Sequence, residues 1–284
     1  ASLLIVLCSY IAMPPLYALT ARNSADVKIA ELYQHINQRA STAEKLDYFS
    51  AAFLGQPYLL GPLGEGLNGI YNRNPLYRTD AFDCQTYVNT VMALTLSNNL
   101  SQFQQTLLSI RYQNGQPSLV TRNHFPELDW LQNNQKQGRL QDITKRIASI
   151  NGNTVWKEAH TTINKKAWFK KQAKSLFRDP RPNASVNSLM VQAKQFKPTN
   201  VDVPYIPLIA LFSASKEPNL ALFKQIPNGS IISIVRPNWN LKAIIGSNLT
   251  ISHVGFAIWQ KGVLYYREAS SVEHKVIDIP LIQY

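Results

Sequence analysis

The spacing of apolar positions divides the chain into a helical first part and a strand-rich last part. Between residues 24 and 54, apolar side chains recur every three or four positions, and a capping box at Ser41 and Glu44 separates two predicted helices. From residue 198 onward the apolar period shortens to two. The predicted strands span residues 230–235, 251–259, 263–268 and 275–279. We therefore predict an α+β fold, in which helices come first and an antiparallel sheet follows.

Residues 80–91 place a cysteine at the start of one of the predicted helices. Apolar residues at helical spacing follow Cys84, and either Asp80 or Asp83 can cap the first turn. The unpaired N–H groups and the dipole at a helix N-terminus stabilise a thiolate relative to a thiol. Cys84 is therefore a candidate nucleophile. The alternative is a small buried side chain that carries no chemistry.

A glycine-rich loop precedes this helix, with glycines at positions 61, 64, 66 and 69. No lysine–serine pair follows it and no clear strand precedes it, so neither phosphate-binding fingerprint fits. We interpret the segment as a flexible loop beside the Cys84 helix.

Residues 121–130 combine polar side chains with a proline and two aromatic rings. The segment contains Arg122, Asn123, His124 and Asp129, and its proline and charges predict a loop. Loops with such side chains often carry binding specificity. The alternative is a surface loop that is held by its own hydrogen bonds.

Positive charge is concentrated in residues 156–178, which we predict to form one or two helices. The segment from residue 165 to residue 178 has six cations and no acid, and the whole chain has a net charge of +12. The six cations are Lys165, Lys166, Lys170, Lys171, Lys174 and Arg178. Such an excess favours an anionic partner, of which a wall polymer is one kind. We do not expect nucleic acid as a partner, because the chain contains no recognisable nucleic-acid-binding motif.

Residues 1–21 are uncharged and apolar at first, and they end in small residues. Two prolines break the stretch, so it suits the remainder of a signal peptide better than a membrane span. A buried N-terminal element is the alternative. We expect an exported, periplasmic protein without a stable membrane anchor, whose residues 22–284 form a single domain. The sequence carries no signal for an oligomeric state.

Removal of that leader takes away Cys8 and leaves Cys84 as the remaining cysteine, so no internal disulfide is expected. The five histidines are scattered, and no cluster has the spacing of metal ligands. We therefore expect neither a metal site nor a cofactor.

The predicted strands supply possible partners for the cysteine. His253 lies near the start of one strand, and Gly255 on the same face is expected to leave open space beside its imidazole. Glu268 on the next strand can reach the far nitrogen of that ring. A cysteine, a histidine and a third polar residue form the nucleophile, base and orienting group of cysteine hydrolases. His253 alone is equally compatible with a hydrogen-bonded core histidine.

Several motifs resemble those of the NlpC/P60 cell-wall cysteine peptidases. Residues 83–88 are similar to the family's cysteine motif, and residues 253–256 to its histidine strand. Residues 227–232 are similar to the turn that opens the first barrel strand, and residues 55–58 to an element whose tyrosine lines the cleft. The resemblance implies a papain-like fold, with helical insertions and with the nucleophile helix packed on an antiparallel sheet or half-barrel.

Residues 122–125 and 129–130 resemble the DUF1460 branch of that family, which is associated with N-acetylmuramoyl-L-alanine amidase activity. The substrate-binding residues that the resemblance implies are Tyr58, Asp83, Arg122, Asn123, His124 and Asp129. Two features depart from the pattern. Tyr58 lies farther before Cys84 than in compact relatives, which implies an inserted loop, and Glu268 stands where a histidine is common.

The resemblance predicts a Cys84–His253 thiolate mechanism acting on peptidoglycan or muropeptides. The expected bond is the amide between N-acetylmuramic acid and L-alanine. Three alternatives stay open at this point, namely an endopeptidase of the stem peptide, an acyltransferase and an inactive wall-binding protein.

Overall fold

The computed structural model describes residues 24–237 and 239–284, so the predicted leader lies outside the described residues. The α-helices of the described chain lie between residues 24 and 245. They are α1 (Ser24–His35), α2 (Thr42–Ala51), α3 (Cys84–Thr95), α4 (Leu100–Arg111), α5 (Leu131–Lys136), α6 (Lys165–Leu176), α7 (Val186–Ala193), α8 (Leu208–Leu211), α9 (Leu220–Phe223) and α10 (Lys242–Ile245). In the described part of the chain, no helix is both long and apolar enough to cross a membrane.

The strands within the described residues form two separate antiparallel sheets. They are β1 (Lys157–Ile163), β2 (Thr199–Tyr205), β3 (Ile231–Val235), β4 (Ile251–Gln260), β5 (Val263–Ser270) and β6 (Lys275–Pro280). β1 and β2 pair with each other, and the larger sheet has the order β3-β4-β5-β6. The predicted α+β architecture is confirmed, and the four strands expected after residue 230 are present.

The main core lies between the larger sheet and the first four helices. Helix α3 is buried on every side from Thr86 to Thr95, as its nearly continuous apolar sequence indicates. The ring of Tyr87 packs edge-on against that of Phe256 on β4, with centroids 5.7 Å apart. This packing fixes the cysteine helix relative to the strand that carries His253.

The prediction of helices throughout residues 156–178 was wrong at its beginning, where the chain forms strand β1. Ala159 and Ile163, which were assigned to a helical stripe, are spaced by four residues, and that spacing suits either structure. The β-branched Thr161 and Thr162 favour the strand, and pairing of Thr161 with Val201 on β2 completes it. His160 therefore lies on an exposed strand rather than on a helix.

Lys165 does not belong to the exposed basic surface that the sequence predicts. It is the first residue of α6, it is buried, and its Nζ lies 2.9 Å from Oδ1 of Asp129. The other five cations of the segment are exposed. They are Lys166, Lys170, Lys171, Lys174 and Arg178.

Candidate active site

Cys84 is the first residue of α3, and Asp83 is its N-cap. Oδ1 of Asp83 accepts a hydrogen bond of 2.7 Å from the Thr86 amide, and the Thr86 hydroxyl accepts one of 2.9 Å from the Asp83 amide. This reciprocal pair selects Asp83 over Asp80, whose carboxylate instead binds Arg78 at 2.7 Å. The cap leaves the thiol of Cys84 half-buried, at the positive end of the helix dipole.

Asp83 also holds the glycine-rich loop against the helix. Its Oδ2 accepts a 3.0 Å hydrogen bond from the amide of Gly61. Farther along the loop, the buried carboxylate of Glu65 accepts bonds from the amides of Tyr71 and Asn72 at 2.9 and 3.0 Å. The same carboxylate accepts a bond from the amide of Leu119. The expected position beside α3 is confirmed, and these bonds tie the loop to α3 and to Leu119.

His253 and Glu268 lie on neighbouring strands, and both side chains are mostly buried. Nε2 of His253 is hydrogen-bonded to Oε2 of Glu268, and the imidazole also has a hydrogen bond to Cys84. Burial of the ring lowers the pKa of His253, but the bonds to Cys84 and Glu268 and their negative charges outweigh burial. The resulting pKa is raised to about 9. Hydrogen bonds therefore connect Cys84, His253 and Glu268, the three groups proposed from the sequence, in one line.

Two tyrosines surround the imidazole of His253. The ring of Tyr284 is stacked on it with centroids 6.4 Å apart, and the ring of Tyr266 lies edge-on at 6.1 Å. The open space expected beside Gly255 is absent, because a Cβ atom there would lie 2.7 Å from Cε2 of Tyr266. Glycine at this position therefore admits the tyrosine ring rather than a ligand.

Tyr58 lies close to the cysteine, as expected for a residue that lines the cleft. Its segment bridges to Phe82, two residues before Cys84. Burial, together with the negative charges of Cys84, Asp83 and Glu268, raises the pKa of Tyr58 to about 12. The hydroxyl of Tyr58 therefore keeps its proton at neutral pH and can act as a hydrogen-bond donor.

Arg122 and Asn123 lie in the loop that follows α4. The guanidinium of Arg122 lies over the ring of Tyr112, 5.8 Å from its centroid, and its Nε and Nη2 atoms are buried without a hydrogen-bond partner. Asn123 is buried, and its Nδ2 donates a 2.9 Å bond to the carbonyl of Ile110. The substrate-binding role of both residues stays a prediction.

His124 and Asp129 are occupied by bonds within the protein. Nε2 of His124 lies 2.7 Å from the carbonyl oxygen of Leu119, and its ring packs on Trp168 at 4.6 Å. Burial and neighbouring cations hold the pKa of His124 well below its usual value. Both carboxylate oxygens of Asp129 bind Lys165, at 2.9 and 3.0 Å. The structure places these two residues in internal networks and does not join them to Cys84.

The sequence analysis missed the two tyrosines that contact His253. Tyr266 precedes Glu268 by two residues, so strand alternation puts both side chains on one face, and that signal was available. Tyr284 offers no comparable local signal, since it reaches His253 only through the fold.

One group of possible metal ligands occurs within residues 24–237 and 239–284. Ligand atoms of Glu158, His160 and Asp202 lie within 4.8 Å of one another, on the exposed β1–β2 sheet. Nδ1 of His160 lies 2.7 Å from Asp202, and Lys145 binds Glu158 at 2.8 Å. Each member is therefore already paired within the protein.

Comparison with known proteins identifies the family. A family model described as N-acetylmuramoyl-L-alanine amidase-like, the AmiA-like family, matches residues 48–284. The chain belongs to the AmiA-like family. The match includes the cysteine helix and the sheet that carries His253 and Glu268. No curated protein matches the chain.

Solved structures resemble this AmiA-like chain over most of its length. Protein LPG0564 from Legionella pneumophila, of the DUF1460 family, has a TM-score of 0.87 at 44% identity and covers 92% of this chain and 88% of its own. An N-acetylmuramoyl-L-alanine amidase from Bacteroides uniformis has a TM-score of 0.59 at 23% identity and covers 86% of this chain and 92% of its own. A putative xylanase from Bacteroides fragilis has a TM-score of 0.57 at 25% identity and covers 83% and 92%. The predicted resemblance to the DUF1460 family is therefore confirmed.

Proposed function

We propose that this AmiA-like protein is a cysteine amidase of the NlpC/P60 type, which hydrolyses the amide bond between N-acetylmuramic acid and L-alanine in peptidoglycan or muropeptides. The single observation that carries the cysteine mechanism is the connected line Cys84–His253–Glu268. The description of the matching family supports the choice of bond. We also propose that the protein is exported to the periplasm and that its catalytic domain spans residues 22–284.

The first step of the proposed reaction is a proton transfer. Nε2 of His253 faces Glu268, so the other ring nitrogen, Nδ1, takes the proton of the Cys84 thiol, and a His253 pKa of about 9 favours the resulting thiolate–imidazolium pair at neutral pH. The carboxylate of Glu268 stabilises the imidazolium that forms, as the acidic member of a catalytic triad does. The location of Cys84 at the start of α3 stabilises the thiolate, because helix N–H groups point toward it.

The thiolate of Cys84 then attacks the carbonyl carbon of the lactyl amide, and the carbonyl oxygen becomes an oxyanion. Two donors near the sulfur fit that charge, the backbone N–H of Cys84 and the hydroxyl of Tyr58. The hydroxyl suits this role because its pKa, raised to about 12, keeps it protonated. Substrate contacts from Asp83, Arg122, Asn123, His124 and Asp129 remain part of the proposal.

Collapse of the tetrahedral intermediate breaks the C–N bond. His253 donates its proton to the leaving nitrogen of L-alanine, so the stem peptide departs with a free amine. Water then attacks the thioester with His253 as the base, which releases the muramic acid carboxylate and restores the Cys84 thiol. The proposed reaction consumes one water molecule and requires no cofactor.

The test is mass spectrometry of defined muropeptides incubated with the wild-type protein and with Cys84→Ala. We expect release of an intact stem peptide that begins with L-alanine, and no release by the variant. Cys84→Ser is a second variant that keeps the size of the side chain and a hydrogen-bonding group. Circular dichroism of each variant shows whether the fold is retained.

Other outcomes identify other chemistry. Cleavage within the stem peptide that still depends on Cys84 would overturn the amidase assignment in favour of an endopeptidase. Transfer of the acyl group to an added amine in place of water would indicate an acyltransferase. Full activity of Cys84→Ala would reject the cysteine mechanism itself.

A further inference from the structure

An open cleft lies outside the Cys84–His253–Glu268 line. Its volume is about 550 Å³, which is within the range of about 300–1,000 Å³ that small-molecule sites occupy. One wall is the β1–β2 sheet, and the other is the connection between β3 and β4. The lining residues are His160, Thr161, Thr162, Asn200, Asp202, Asn240, Lys242 and Asn248.

The first wall is a ladder of polar side chains on one face of the two strands. His160 pairs with Asp202 across the strands, and Nδ1 of His160 lies 2.7 Å from the carboxylate. Thr162 pairs with Asn200, and its hydroxyl donates a 2.7 Å bond to the amide oxygen. These bonds orient the side chains and leave the remaining lone pairs of Asp202 and the Nδ2 group of Asn200 to the cleft.

The second wall contains two asparagines and a lysine. Oδ1 of Asn240 accepts a 3.1 Å bond from the amide of Lys242, so its NH₂ group is the part left to a ligand. Oδ1 of Asn248 is a buried acceptor with no hydrogen-bond partner in the described structure.

These side chains select for a hydroxyl-rich ligand. The lining carries one acid, Asp202, and one lysine, Lys242, so with His160 neutral its formal charges balance and the cleft does not favour a polyanion. Amides, hydroxyls and a carboxylate all hydrogen-bond hydroxyl or acetamido groups, whereas the lining contains no large apolar side chain for a peptide residue. We propose that this cleft binds the glycan of the substrate, an N-acetylated amino sugar with its neighbouring sugar residues.

One chain segment connects the cleft to the strand that carries His253. The segment that carries Asn240, Lys242 and Asn248 runs directly into β4, on which His253 lies. At the other end of this segment, the charge of Arg236 acts on the hydroxyl of Tyr284, whose ring stacks on His253. Burial and the charges of Glu268 and Cys84 raise the pKa of Tyr284 to about 12, and the charge of Arg236 opposes that rise. This segment therefore joins the cleft to the strand of His253, which is the arrangement expected if the cleft holds sugar residues of a substrate whose lactyl amide lies at Cys84. This inference rests on the proposed function.

The experiment measures binding of the two product halves, so it does not depend on catalysis. The probes are the disaccharide N-acetylglucosaminyl-N-acetylmuramic acid and the dipeptide L-alanyl-D-glutamate, each titrated calorimetrically into the wild-type protein. The variants are Asn200→Ala and Asn240→Ala, one from each wall, singly and together. Asn187→Ala is the matched control, because Asn187 is exposed on α7 and does not line the cleft.

We expect each single variant to weaken binding of the disaccharide at least threefold and the double variant at least tenfold. Any binding of the dipeptide should be unchanged, as should disaccharide binding by Asn187→Ala. Absence of disaccharide binding by the wild-type protein would overturn the inference, and so would unchanged binding by a correctly folded double variant. Cleft-dependent binding by a protein that cleaves no muropeptide would preserve the saccharide site and reject the proposed amidase function.

Discussion

Glu268 bonds the imidazole of His253 from the neighbouring strand of the larger sheet. Both side chains are mostly buried, at 4% exposure for Glu268 and 14% for His253. The bond occupies Nε2, which leaves Nδ1 as the ring nitrogen available to Cys84. Because the ring is fixed on one side by a carboxylate and on another by Tyr284, its orientation does not depend on a substrate.

Replacement of Glu268 by Gln should lower activity and shift its pH dependence. The variant keeps the shape of the side chain but removes the charge that helps to raise the pKa of His253 to about 9. We expect kcat/KM to fall about 100-fold. The alkaline limb of the kcat/KM profile should move to lower pH, because the imidazolium loses its proton more readily. Glu273→Gln, an exposed change in the β5–β6 turn, is the control.

The same pKa predicts a pH dependence of stability. A histidine whose pKa is raised from 6.5 to about 9 on folding contributes stability that is fully present below pH 6.5 and is lost as the pH rises through 9. Urea denaturation of the wild-type protein and of His253→Ala should therefore differ most below pH 6.5, and the difference should shrink by pH 9.5. A difference that grows with pH would contradict this.

Removal of the Asp83 carboxylate should affect both the helix and the loop that it joins. Asp83→Ala removes the N-cap of α3 and the bond to Gly61, and the loss of the cap alone costs about 1 kcal/mol. We expect a lower melting temperature and lower activity, with recovery of much of both in Asp83→Asn, since asparagine also caps helices. The matched control is Asp80→Ala, because Asp80 is exposed and forms only a surface ion pair with Arg78. An equal loss of stability in both variants would contradict the assigned role.

Local patterns explain which parts of this site were predictable. The helix at Cys84 follows from its capping residue and apolar spacing, and the facing of His253 and Glu268 follows from the alternation of two strands joined by a tight turn. β1 was missed because a spacing of four residues between Ala159 and Ile163 fits a strand and a helix alike. In that segment, pairing with a distant strand decided the structure.

The contacts that could not be predicted join residues that are far apart in the chain. Lys165 lies among exposed lysines in the sequence. Only the approach to α6 of residues Pro126–Trp130, which form a π-helix where a loop was predicted, buries it against Asp129. Tyr284 reaches His253 in the same way, through the position beside β5 of the segment that follows β6. Neither contact has a signal in the periodicity of its own segment.

The buried pair of Lys165 and Asp129 should be essential for stability. The two side chains are 4% and 6% exposed, so Lys165→Met leaves an unpaired carboxylate inside the protein. Removal of one partner of such a pair costs about 3–5 kcal/mol. The urea midpoint should fall accordingly in Lys165→Met, while Lys166→Met, at an exposed position on the same helix, should leave it nearly unchanged. Similar midpoints for the two variants would show that the pair contributes little.

A single methyl group at Gly255 should disturb the imidazole through Tyr266. In Gly255→Ala the new Cβ atom would lie 2.7 Å from the carbonyl oxygen of Arg267 and 2.7 Å from Cε2 of Tyr266. Neither group can withdraw easily, because one is backbone and the other is a fully buried ring. Overpacking of this kind costs about 1–3 kcal/mol.

The expected loss of activity in Gly255→Ala exceeds what the loss of stability explains. Displacement of the Tyr266 ring moves the edge-on neighbour of His253, so kcat should fall even at temperatures where the variant is fully folded. The control is Gly262→Ala in the β4–β5 turn, where a Cβ atom meets nothing within 4 Å and the cost is that of a positive φ of 82°. Gly262→Ala should lose stability but keep kcat. A normal kcat for folded Gly255→Ala would show that the position of Tyr266 does not matter to His253.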